Sequence, residues 1–128
     1  MKKIIIIVFI LALALTLFFG AKHLNKPNDI DYLESIATKA LKLTSNHNEL
    51  YYFSNSKERG LLFKTQFVFI PKQILKKNID EISESEIVLV LIDKNSEPST
   101  LLSDVNFTNS DTLFSDENKY YKLILLKK

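Results

Sequence analysis

Ile87-Val88-Leu89-Val90-Leu91-Ile92, closed by Asp93, is the stretch whose reading decides the fold. Its six residues are all apolar and mostly β-branched, with no polar residue alternating between them. A strand of this kind is covered on both faces, as at the centre of an α/β sheet. Downstream, Asp93 to Thr100 is a turn-rich loop. Thr112-Leu113-Phe114 and Tyr120 to Leu126 then flank Asp116-Glu117-Asn118-Lys119, the pattern of a closing β-hairpin. Upstream, Lys76 to Glu84 is a polar spacer with one helical turn around Ile79 and Ile82, and Gln73-Ile74-Leu75 reads as a short strand after Pro71.

Lys57 to Ile70 reads two ways. Its charged start suits a helix with Leu62, Phe63, Gln66, Phe67 and Ile70 near one face, while Phe67-Val68-Phe69-Ile70 alone suits a strand. The helix is favoured, stopping before Pro71, because a residue ahead of proline is disfavoured in the α region. Leu50-Tyr51-Tyr52-Phe53 is a β-type run, and Ser54-Asn55-Ser56 is placed to cap the helix that follows it. Before these lies an amphipathic helix over about Asp29 to Leu43. Ile30, Leu33, Ile36, Ala37, Ala40 and Leu41 recur at helical spacing, Asn28 or Asp29 is the cap, and Asp31 and Glu34 fall in the first turn. These elements predict an α/β fold: a small three-layer or two-layer Rossmann-like sheet with a C-terminal β-hairpin, in one domain over residues 29–128.

The chain begins differently. Lys2 and Lys3 precede an uncharged run from Ile4 to Ala21, about 18 residues interrupted only by Thr16 and Gly20. It is apolar all round, which no surface helix is. As a helix it is roughly 27 Å long, against a hydrocarbon core of about 30 Å. The expectation is one N-terminal transmembrane helix over residues 1–21, a signal-anchor, followed by a juxtamembrane linker over residues 22–28. The N-terminus is then cytoplasmic and the domain extracytoplasmic. The alternative is a cleaved signal and a secreted product, although Phe19 occupies a position where signal cleavage wants a small residue.

Composition narrows the function classes. Lys2 and Lys3 account for the formal net charge of +2, so the domain itself is near neutral. It lacks the basic stripe of a nucleic-acid binder. There is no cysteine, hence no disulfide framework and no thiolate metal site. His23 and His47 stand alone, without a second ligand at helical spacing. Gly60 is the only glycine after the apolar run, and no G-x-S-x-G or phosphate-cradling glycine loop occurs. No cofactor or metal is expected. Glu81, Glu84 and Glu86 read as a solvated loop, and one tyrosine of each pair, Tyr51-Tyr52 and Tyr120-Tyr121, should face the core.

Topology supplies the candidate site. Ligands of open α/β sheets lie beyond the carboxyl ends of the strands, which places Ser54, Asn55, Ser56 and Asp93 on one rim. Lys57 and Arg59 stand at the adjacent helix start. Arg59 is the sole arginine, and its planar fork suits carboxylate or phosphate. The ligand-binding candidates are Ser54, Asn55, Arg59 and Asp93. The plainer reading has Arg59 paired with Glu58 or Asp93.

Arg59-Gly60-Leu61-Leu62-Phe63, Phe67-Val68-Phe69-Ile70-Pro71-Lys72 and Ile87 to Asp93 carry a resemblance. Together with the hairpin, they resemble the small extracytoplasmic α/β domain of uncharacterised bacterial membrane proteins similar to lipid-linked-sugar glycosyltransferases. Those proteins cross the membrane many times, whereas this chain has one apolar run. The resemblance implies an accessory domain, with a multi-pass envelope protein as its partner. The sequence therefore points to a membrane-tethered, non-enzymatic accessory or interaction domain at the cell envelope. The alternative is an exported enzyme or small-ligand binder using the rim near Arg59 and Asp93.

Overall fold

The computed structural model describes residues 10–17, 28–96, 107 and 110–128. Of the expected span Ile4–Ala21, residues 10–17 are described; they are helical and exposed. No helix among the described residues is long and apolar enough to cross a membrane. The remainder of that span, His23, and all of Leu101–Thr108 except Phe107 lie outside the described residues.

The elements are α1 (Asp29–Leu43), β1 (Glu49–Ser54), α2 (Arg59–Val68), β2 (Gln73–Leu75), a 3-10 turn (Ile79–Glu81), β3 (Ile87–Asp93), β4 (Asp111–Glu117) and β5 (Tyr121–Lys127). The five strands form one mixed sheet in the order β2-β1-β3-β5-β4. β1 runs parallel to β2 and β3, and β5 runs antiparallel to β3 and β4. The apolar hexapeptide is thus the central strand, and the alternation of the strand divides it between two cores. Ile87, Leu89 and Leu91 join the helices on one face; Val88 and Val90 join Tyr51, Ile82 and Leu126 on the other.

Strand order explains why both faces are covered. β2 and β3 flank β1 on opposite sides, so right-handed crossovers must pass over opposite faces of the sheet. α2 makes the first crossover and packs with α1 in the first core. The polar spacer makes the second, laying Ile79 and Ile82 over the other face. The Lys128 ammonium donates to the carbonyls of Ile79 (2.5 Å) and Ile82 (2.7 Å), pinning that turn. Phe53 and Phe107 add an edge-to-face ring pair 5.7 Å apart. With both faces closed, Tyr51 and Tyr52 are both buried. The expectation of one core tyrosine fails at this pair: the cover expected over both faces of Ile87–Ile92 extends over β1 as well, with Tyr52 in one core and Tyr51 in the other.

Local signals set the helix limits. The Asn28 side chain accepts from the Ile30 and Asp31 amides (2.8 and 3.0 Å), while the Asp31 carboxylate accepts from the Asn28 amide at 2.7 Å. This reciprocal cap fixes the start of α1. Its first turn holds Asp29 and Asp31; Glu34, expected there, sits a turn further on. Leu33, Ile36, Ala37 and Ala40 are the buried stripe. α2 is a helix, as favoured, but Glu58 precedes it without a side-chain cap. The hydroxyls of Ser54 and Ser56 accept instead from the amides of Ser56 and Glu58, each two residues on, so they shape the turn and do not cap the helix. The buried face of α2 is Leu61, Thr65 and Val68, not the face that carries Phe63 and Phe67.

The hairpin also departs from expectation. β4 continues through Asp116 and Glu117, which pair with Leu123 and Lys122. The turn is made by Asn118, whose side-chain oxygen Oδ1 accepts from the amides of Tyr120 and Tyr121, both at 2.9 Å. Its side-chain nitrogen donates to the Tyr32 carbonyl of α1 (2.7 Å), tying the hairpin to that helix.

Candidate functional site

β1 and β3 are neighbours, with Ser54 opposite Leu91 in the parallel register. Their carboxyl ends therefore bring Ser54, Asn55 and Asp93 together. Asn55 is buried at 7% exposure. Its side-chain amide donates to the Asp93 carbonyl (2.9 Å) and accepts from the Asp93 amide (2.8 Å). This bidentate clamp continues the β1–β3 ladder with a side chain where the backbone pairing ends. The Asp93 carboxylate accepts from the Asn95 amide (2.9 Å) and the Ser96 hydroxyl (2.8 Å). Ser54, Asn55 and Asp93 thus each direct polar atoms into the local backbone.

Arg59, at the first residue of α2, is exposed. Among the described residues it forms no ion pair; Glu58 lies near Lys64 instead, at 3.7 Å. Lys64 has a closer partner in Asp29, at 2.7 Å, joining α2 to the start of α1. That carboxylate raises the Lys64 ammonium above its usual range. Tyr121, the first residue of β5, is opposite Asp93 and buried. Burial pushes its phenol up to about 12, reinforced by Asp29 and Asp93 and opposed by Lys64. Burial likewise raises Tyr52. The helix side of the rim is therefore a mixed cluster of Asp29, Lys64, Tyr121 and Asp93. Sequence spacing gave no access to it, because its members come from four separate elements.

The opposite end of the sheet holds a cleft of about 350 Å³ lined by residues that include His47, Glu49, Tyr51 and Glu86. Glu86 is not merely solvated: it accepts from the Tyr51 hydroxyl (3.0 Å) and the Ser83 amide (2.6 Å). The Glu86 bond, then burial, raises the Tyr51 phenol. Beside this cleft Lys72 is buried at 8% exposure. Its ammonium donates to the carbonyls of Thr44 (2.5 Å) and His47 (2.7 Å), where a positive charge also suits the end of α1. Among the described residues no group of three or more His, Asp or Glu side chains is placed to hold a metal ion.

No family model, no curated protein and no solved structure matches this chain.

Proposed function

We propose that this chain is a membrane-tethered, non-enzymatic accessory or interaction domain at the bacterial cell envelope, with residues 29–128 outside and the N-terminus in the cytoplasm. The observation that carries this reading is the uncharged run Ile4–Ala21, of spanning length and without a polar face. The rim adds support, since Asn55 and Asp93 are engaged in holding β1 to β3. The resemblance seen in Arg59–Phe63 and Phe67–Lys72 supplies the partner class, a multi-pass envelope membrane protein. Alkaline carbonate extraction of membranes carrying the full chain tests the tether. The chain should stay in the pellet, and release into the supernatant refutes the anchor. A mature N-terminus at Lys22 would instead establish cleavage and secretion. A pull-down from the same membranes should enrich an envelope protein over an anchor-only control.

One observation favours a second reading. The parallel strands lie in the order β2-β1-β3, which puts a switch in connection direction between β1 and β3, where doubly wound sheets bind ligands. On this reading Arg59, beside the rim, takes a small anion on the exported domain. Arg59→Ala would then abolish binding with the unfolding midpoint unchanged.

A further inference from the structure

We propose that the outer face of α2 rests on a lipid surface, with Phe63, Phe67 and Ile70 in the interfacial layer and Arg59 on the phosphate of an anionic headgroup. The proposal rests on the tethered reading above.

Four residues on one side of α2 make the case. Arg59, Phe63 and Phe67 follow at intervals of four, and Ile70 follows three later in the turn after the helix, so they share one side. Phe63 is 71% exposed, Ile70 61% and Phe67 57%. Scattered single hydrophobics on a surface are ordinary, but a contiguous stripe of this kind marks an interaction face. The core does not need it, because α2 already buries Leu61, Thr65 and Val68. Aromatic residues that can enter the headgroup layer and a cation that can meet anionic lipid supply the two contributions that hold a helix at a membrane interface, buried apolar area and electrostatic attraction. Arg59, with no ion pair among the described residues, is placed to meet phosphate through its fork.

The tether selects a lipid occupant. Lys22 to Asn28 is a linker of seven residues, which spans about 24 Å when fully extended. The first residue of α1 is therefore held near the bilayer. Asp29 in that position is 2.7 Å from Lys64 of α2. Lys64 follows Phe63 and precedes Phe67 by three residues. The helix turns that carry the aromatic stripe are thus the ones that meet the start of α1, where the chain leaves for the membrane. The carboxyl rim and Arg59 are at the same end.

The chain has no tryptophan, so Phe67→Trp supplies a single fluorophore on the stripe. Leu113→Trp supplies a control on β4, exposed and at the far edge of the sheet. Each full-length variant is reconstituted in vesicles of phosphatidylcholine with about one-third phosphatidylglycerol, with and without brominated acyl chains. The expected result is flotation of both variants, with blue-shifted emission and at least two-fold quenching by brominated lipid for Phe67→Trp only. Adding Arg59→Ala should weaken that quenching on anionic vesicles and leave it unchanged on pure phosphatidylcholine. Flotation with equal, weak quenching at both positions overturns the lipid contact and leaves the tether standing. A blue shift that grows with protein concentration but resists brominated lipid overturns it in favour of a second copy of the chain. Failure to float removes the tether and the lipid contact together.

Discussion

Replacing Asn55 by alanine removes both arms of the clamp on Asp93. The wild-type amide donates to the Asp93 carbonyl at 2.9 Å and accepts from the Asp93 amide at 2.8 Å, from a side chain only 7% exposed. A net hydrogen bond contributes about 0.5–1.5 kcal/mol, and a buried backbone group left unpaired costs about 1–3 kcal/mol. These Asp93 groups are part-buried, so water recovers some of the loss. The expected destabilisation is about 2–3 kcal/mol, in a domain whose total is of order 5–15 kcal/mol. For about 100 residues that corresponds to a fall in Tm of roughly 10–20 °C. Urea unfolding of the full chain in mild detergent, followed by far-UV circular dichroism, measures it directly. Ser56→Ala is the control, since its hydroxyl makes one exposed turn bond at 3.2 Å and should cost about 0.5 kcal/mol. An Asn55→Ala loss no larger than the control would refute the clamp, and would return Asn55 to the list of groups available to a ligand.

Three further outcomes follow from the same geometry. Leu89→Ala, at a fully buried position in the central strand, should cost about 3–4 kcal/mol by urea unfolding; a loss under 1 kcal/mol would mean that the strand is not central. Lys72→Met removes the charged donor to the Thr44 and His47 carbonyls and should lower stability by about 1–3 kcal/mol, the bonds outweighing relief from a buried charge; an unchanged urea midpoint contradicts this. Tyr121 keeps its proton to about pH 12 when folded, against 10 when unfolded, so its contribution is complete below pH 10 and is lost as pH rises from 10 to 12. Tyr121→Phe should flatten that decline in the urea midpoint and delete the last step of the 295 nm titration, and persistence of that step would assign it elsewhere.

How far the sequence could be read depended on whether a signal was local. The apolar hexapeptide marked the centre of the sheet, because only two covered faces tolerate Ile87 to Ile92 without alternation. α1 was legible to its ends, since Asn28 caps its own helix and the stripe from Leu33 to Ala40 has no rival. The hairpin turn was not, because Asp116 and Glu117 have turn-like composition yet pair with β5, and Asn118 makes the turn with an amide that also reaches α1. The second covered face was expected from the apolar hexapeptide, but the segment that covers it was harder to read for a related reason. That face is closed by a polar spacer whose only apolar members, Ile79 and Ile82, give no periodic pattern.

α2 and the rim share one difficulty, which is that placement does not determine use. The helix from Arg59 to Val68 has apolar residues on more than one face, and periodicity alone favoured the aromatic one. The core took Leu61, Thr65 and Val68 instead and left Phe63 and Phe67 outside. The rim repeats the pattern. Strand order located Asn55, Asp93 and Arg59 at one end, but bond geometry separates them. Asn55 and Asp93 are committed to the backbone, while Arg59 faces solvent at the head of the aromatic stripe. A group still able to meet a partner must be polar or apolar, exposed and uncommitted at once. On this rim that condition selects Arg59 together with Phe63 and Phe67, which shifts the candidate surface from the strand ends to the outer face of the helix beside them.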